Sequence, residues 1–236
     1  IEFERPESVA AVIAEPIIGG GGVIVPPDEY IPKVREICSK YGVLLILDEV
    51  ITGFGRTGDL FASTLYGVVP DIMTMAKGIS SGYMPLSAMA ATEEVFQAFL
   101  GAPEDNLHYN SVSTFGGHAG ACAAGLANLE IFMRERLWEN AREVGSHLLE
   151  SLKGLTSLPC VGDVRGKGLI MGVELVKDGK APLSGGEIKL IRKKLMEEGI
   201  GKLMVVYVVA LFGFIIWVGL FISWLFFHGV MPPLVG

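Results

Sequence analysis

Apolar residues are grouped along this chain in two distinct rhythms. Val9–Ala14, Val43–Leu47 and Ile72–Ala76 are short continuous apolar runs, and such runs read as strands covered on both faces. Between them the spacing becomes helical. Ile31, Val34 and Cys38 share one face of a segment that Asp28 can cap and that runs to about Lys40. Leu60–Tyr66 reads as a short helix. This order of strand, helix, strand, helix, strand predicts an α/β fold, a mostly parallel sheet with helices on both faces. A long helix follows, marked by Ala119, Cys122, Ala123, Leu126, Leu129 and Met133. Val144, Leu148, Leu152 and Leu155 mark another.

After Pro159 the pattern changes. Val161–Arg165 and Leu169–Val176 read as strands joined by a tight Gly166–Lys167–Gly168 turn, with a charged helix over Gly186–Glu198. The expected division is 1–155 as part of a large domain, 156–202 as the start of a small α+β domain, 203–227 as an apolar span and 228–236 as a tail. Residues 203–227 carry no charged side chain. At ~1.5 Å per residue they would extend roughly 37 Å as a helix, enough to cross a membrane. Lys189, Arg192, Lys193, Lys194 and Lys202 precede this run and no Lys or Arg follows it, so residues 1–202 are expected to stay cytoplasmic. The opening Ile1–Glu2–Phe3–Glu4–Arg5–Pro6 reads as the start of a fragment.

Composition narrows the function classes. The formal net charge of −7, with no basic patch, argues against nucleic acid. Three dispersed cysteines, Cys38, Cys122 and Cys160, read as buried free thiols. Four histidines without ligand spacing argue against a metal.

The candidate chemistry sits at strand ends. Asp48 closes one apolar run, and Lys77 follows the next. Carboxyl ends of parallel strands form the crevice where α/β proteins bind ligands. A carboxylate and a desolvated amine there can hold a cationic heteroaromatic ring and bond to its aldehyde. A helix cap and a solvated surface lysine are the plainer readings of the same two residues. Gly53–Phe54–Gly55–Arg56–Thr57–Gly58 has the glycine spacing of a dinucleotide loop, but Asp71 precedes its strand instead of ending it.

Four stretches occur together: Ala14–Glu15–Pro16–Ile17–Ile18–Gly19, Leu47–Asp48–Glu49–Val50–Ile51–Thr52–Gly53 running on through Gly58, Ala76–Lys77–Gly78, and Thr114–Phe115–Gly116–Gly117. In this order and spacing the chain, from about Val9 to about Ile200, closely resembles class III pyridoxal-phosphate aminotransferases of fold type I. Ser80–Ser81–Gly82–Tyr83–Met84–Pro85–Leu86 is most similar to the ω-amino acid or amine:pyruvate branch.

The resemblance implies pyridoxal 5'-phosphate as cofactor, an amino donor and a 2-oxo acid as substrates, and a homodimer. Lys77 would form the Schiff base and then move the substrate proton. Asp48 would pair with the ring nitrogen, and Val50 would pack on the ring. Glu49 is counted with the cofactor-binding residues, and like Glu15 it also fits a strand-end salt bridge. Thr114 would reach the phosphate in the neighbouring subunit. Arg56 is read as a turn residue over an anion contact, and His118 as a helix start. The family's upstream phosphate loop and the rest of its small domain have no counterpart in this sequence. A catalytically incomplete, membrane-tethered or chimeric remnant is therefore the rival expectation.

Overall fold

The computed structural model describes residues 1–197 except 106, 108, 110, 112 and 178. The apolar run 203–227 and its tail lie outside the described residues. Among the described residues no helix is long and apolar enough to cross a membrane.

The first sheet is built from β1 (Ala11–Ala14), β2 (Leu44–Asp48), β3 (Ile72–Met75) and β4 (Ala88–Ala91), in spatial order β1-β2-β3-β4. β1, β2 and β3 run parallel, with Ile13 beside Ile46 and Asp48 beside Thr74. β4 returns antiparallel along β3. This strand was not expected, because Ala-Met-Ala-Ala has neither the alternation nor the branched residues of a recognisable strand.

α1 (Tyr30–Tyr41) and α2 (Ala62–Leu65) form the two crossovers. Successive crossovers of the same hand between neighbouring strands land on the same face. Ile31 and Cys38 of α1 and Ala62 of α2 accordingly meet Leu45 and Leu47 in one core with Tyr66 and Val68. The opposite face keeps Ile13 at 65% exposure and Leu44 at 37%. The expected cover on both faces is thus found on one face by these crossover helices. Asp48 shares its parity along β2 with Leu44 and Ile46, so it belongs to the less covered face.

Asp28 does not cap α1. The Tyr30 N–H donates to the Pro27 carbonyl, and the Asp28 carboxylate accepts from Lys167 Nζ at 3.2 Å. The Gly19–Gly22 run is held rather than loose. Ile18 pairs with Ile24 across it, and Arg165 Nη2 donates to the Gly22 carbonyl at 2.7 Å.

α3 (Glu93–Gln97) follows β4, and α4 (Ala119–Glu135) and α5 (Leu137–Lys153) come next. On α4 the expected face is corrected. Ala121, Gly125 and Phe132 are buried, while Leu126 and Met133 stay 63% and 54% exposed. On α5 the closest contacts are also small: Ala141 and Gly145 are buried and Val144 is exposed.

β5 (Val161–Lys167) and β6 (Ile170–Lys177) form an antiparallel hairpin, joined on the far edge of β6 by β7 (Ala181–Pro182) and followed by α6 (Gly185–Glu197). Lys167 pairs with Ile170, so the turn is Gly168–Leu169, one step later than expected. A Cβ on Gly145 would stand 2.1 Å from the Gly168 carbonyl oxygen. That backbone contact is how α5 seats the hairpin, and no side chain fits inside it. The thiols also differ from expectation: Cys38 alone is buried, Cys122 is half-buried and Cys160 exposed.

Candidate active site

Asp48 ends β2 with its Oδ1 accepting the Val50 N–H at 2.9 Å, which orients the carboxylate. Lys77 opens a 3-10 turn, Lys77–Ile79, directly after β3. Its φ of 47° lies in the left-handed region. That conformation costs a non-glycine residue about 1–2 kcal/mol, and such strain persists only where surroundings enforce it. The surroundings are visible. Gly78 presses on Phe54, so that a Cβ there would come within 2.7 Å of Phe54 Cβ. Phe54 is itself left-handed at φ 57° and stands edge-on to Phe61, ring centroids 5.3 Å apart. On the other side, Asn128 Nδ2 of α4 donates to the Gly78 carbonyl at 2.9 Å and the Ile79 carbonyl at 3.2 Å.

The charges around the Lys77 amine follow from this placement. Burial pushes its pKa below the ordinary lysine value, and the Arg56 guanidinium pushes the same way. The Asp48 and Glu15 carboxylates pull against them. All three charged groups therefore act on Nζ, which joins the ends of β2 and β3 in one electrostatic site. A cleft of about 500 Å³ opens here, lined by Lys77, Phe54, Arg56, Ser81, Asn128 and Asn140 among others. Asp48 and Val50 are not in its lining. A larger groove of about 1060 Å³ runs past Arg35, Asp71, Met89 and Phe99, and none of the residues nominated from sequence line it.

The glycine-spaced loop is a packing joint. The Leu169 N–H of the hairpin turn donates to the Arg56 carbonyl, and Arg142 Nε donates to the Gly58 carbonyl at 2.8 Å. Arg56 itself donates to the Val50 carbonyl at 2.9 Å and the Gly53 carbonyl at 3.2 Å, in keeping with a turn residue.

Glu49, counted from sequence with the cofactor-binding residues, lies inside the fold. It is fully buried and turned inward, where its carboxylate accepts the Thr52 hydroxyl and the N–H groups of Ala62 and Ser63 at the start of α2. Glu15 accepts the Gly19 N–H at 3.0 Å. Thr114 is exposed in the turn before α4, and His118 caps that helix, its Nδ1 accepting the Ala121 N–H. Sequence reasoning missed Asn128. A polar residue spaced with Ala121, Gly125 and Phe132 was the available signal.

The pattern of the family described as aminotransferase class-III matches residues 1–211. The chain belongs to the class III aminotransferases. The match continues past Gly201, where the sequence reading ended the resemblance. The chain is 50% identical over 201 residues to the aminotransferase YhxA of Bacillus subtilis (strain 168), covering 84% of this chain and 44% of that protein. It is 53% identical over 175 residues to the taurine–pyruvate aminotransferase of Bilophila wadsworthia, covering 73% of this chain and 38% of the relative. Its structure matches that of a thermostable (S)-enantioselective ω-transaminase from Thermomicrobium roseum. That match has a TM-score of 0.78 at 48% identity, over 85% of this chain and 45% of the other. The chain thus spans less than half the length of these relatives.

Class III aminotransferases depend on pyridoxal 5'-phosphate. The residues present fit its reactive side, with a desolvated amine for an aldehyde and an oriented carboxylate for a ring nitrogen at adjacent strand ends.

Proposed function

We propose that the protein from which this sequence comes transfers an amino group from an ω-amino acid or amine to a 2-oxo acid such as pyruvate. The observation that carries this reading is Lys77, held left-handed at the end of β3 with a lowered amine pKa and in charge range of Asp48. The substrate class follows that of two relatives, a taurine–pyruvate aminotransferase and an ω-transaminase.

Pyridoxal phosphate, when bound, supplies an electron sink for a carbanion at the substrate carbon. The chain's residues supply the rest. Asp48 would hold the ring nitrogen, its orientation kept by the Val50 N–H, and Val50 would bear on the ring. Lys77 Nζ would be the covalent anchor and then the acid–base group that takes the substrate's Cα proton and delivers it to the cofactor's aldehyde-derived carbon. Its lowered pKa raises the fraction of free amine at a given pH, as a general base requires. Thr114, exposed ahead of α4, would complete the site of a second copy, making a homodimer the working unit. Residues 1–155 would carry the cofactor side, and 156–202 would begin a smaller domain.

Incubation with pyridoxal phosphate, an ω-amino acid and pyruvate should yield alanine, and Lys77→Ala should abolish it. Alanine formation at an equal rate in both proteins would refute the assignment of Lys77.

A further inference from the structure

The grip on the Lys77 turn comes from two sides, and one of them is a single side chain. Asn128 lies one helical turn beyond Gly125 on the buried face of α4, and its amide reaches across 50 positions of sequence to the Gly78 and Ile79 carbonyls. These are the carbonyls of the two residues following Lys77. The Ser80 N–H closes the same turn onto the Lys77 carbonyl at 3.3 Å. A left-handed lysine relaxes readily if its downstream peptides are free to rotate. Phe54 blocks movement on the Gly78 side by contact alone. The Asn128 amide supplies directed bonds.

We infer that Asn128 is a positioning residue that holds Lys77 in its left-handed turn and so keeps the lysine amine inside the cleft. It acts through the backbone and does not touch the reacting atoms. Loss of its amide lets the turn relax, and the Lys77 amine then leaves its place in the cleft among Arg56, Asp48 and Glu15. Arg56, Asp48 and Glu15, the charged groups that act on the amine, keep their own positions. This inference rests on the proposed Schiff-base role of Lys77 for its consequence, but its geometry is independent of any cofactor.

Two readouts on the purified chain test it. Competitive acetylation with trace acetic anhydride across a pH series, read by peptide mass spectrometry, follows the titration of Lys77 without cofactor, with exposed Lys193 as internal reference. Borohydride trapping of pyridoxal phosphate then gives the rate of adduct formation. In the parent chain Lys77 should titrate below the ordinary lysine value. Asn128→Ala, which favours the helix and removes the donor, should move the Lys77 titration up toward the ordinary lysine value. Where the shift amounts to one pH unit, labelling at a pH below both midpoints falls about tenfold. Trapping should slow in parallel. Asn128→Gln, which keeps an amide, should restore much of both. Should Asn128→Ala lose its melting transition, Asn128→Ser carries the same readouts. Unchanged Lys77 titration in the variant that folds would overturn the inference. A parent chain with no adduct on Lys77 would instead refute the Schiff-base reading, and the acetylation series would still decide Asn128.

Discussion

Asp48 and Glu49 are neighbours in sequence with opposite tasks, and the difference is one of direction along a strand end. Asp48 belongs to the parity of Leu44 and Ile46, while Glu49 turns into the core and accepts three hydrogen bonds. Glu49→Gln should therefore lower stability by about 1–3 kcal/mol, because an amide N–H then faces backbone donors in a buried place. Thermal melting measures this. Asp48→Asn should leave melting within about 0.5 kcal/mol and slow amino transfer about a hundredfold or more, the usual scale for losing an oriented charge at a reacting centre. A large stability loss at Asp48 with little at Glu49 would reverse these assignments. Both residues were legible as candidates from their place after an apolar run. Which one turns into the core was not, because strand-end geometry depends on where the chain turns next.

At the scale of elements, the strands and helices with strong periodicity were readable and their contact faces were not. On α4 the apolar positions Leu126 and Met133 stay exposed, while Ala121, Gly125 and Asn128 face inward. Small residues are chosen there for close approach, which hydrophobic spacing does not register. β4 escaped notice for a related reason, as its alanines carry no strand signature. The Gly145 contact yields a prediction with an inverted sign. Alanine for glycine within a helix ordinarily stabilises by about 1 kcal/mol. Here the added Cβ collides with the Gly168 backbone, so Gly145→Ala should destabilise by about 1–3 kcal/mol, read as a lower urea midpoint.

At the start of α6, Ser184 and Glu187 form a reciprocal cap, the Ser184 N–H and hydroxyl both donating to the Glu187 carboxylate. The Ser-Gly-Gly-Glu spacing carried this in plain view. The hydroxyl and N–H of Ser184, with Lys177 beside them, hold the Glu187 pKa down to about 2 from 4.5. A lowered carboxylate pKa contributes stability above the unfolded value and loses it as pH falls through the folded one. The cap should therefore weaken between pH 4.5 and about 2, and Glu187→Gln should remove that dependence. Amide exchange within α6 across this window measures it.

On the scale of the whole molecule, the joint between the glycine-spaced loop, α5 and the hairpin turn ties the second sheet to the site. The Arg56 carbonyl accepts from Leu169 while the Arg56 guanidinium acts on Lys77. The family was legible from motif order, because each motif serves a local need of the site. The long-range joints were not, since they match residues far apart in sequence, such as Arg56 with Leu169 and Gly58 with Arg142. The proposed role of Lys77 as covalent anchor of an aminotransferase site underlies every activity prediction above. Borohydride reduction of the protein with pyridoxal phosphate, followed by peptide mapping, tests it most directly. A pyridoxyl group should form on Lys77 faster than on the other lysines and be absent in Lys77→Ala. Labelling spread evenly over exposed lysines, with Lys77 unmodified, would contradict it.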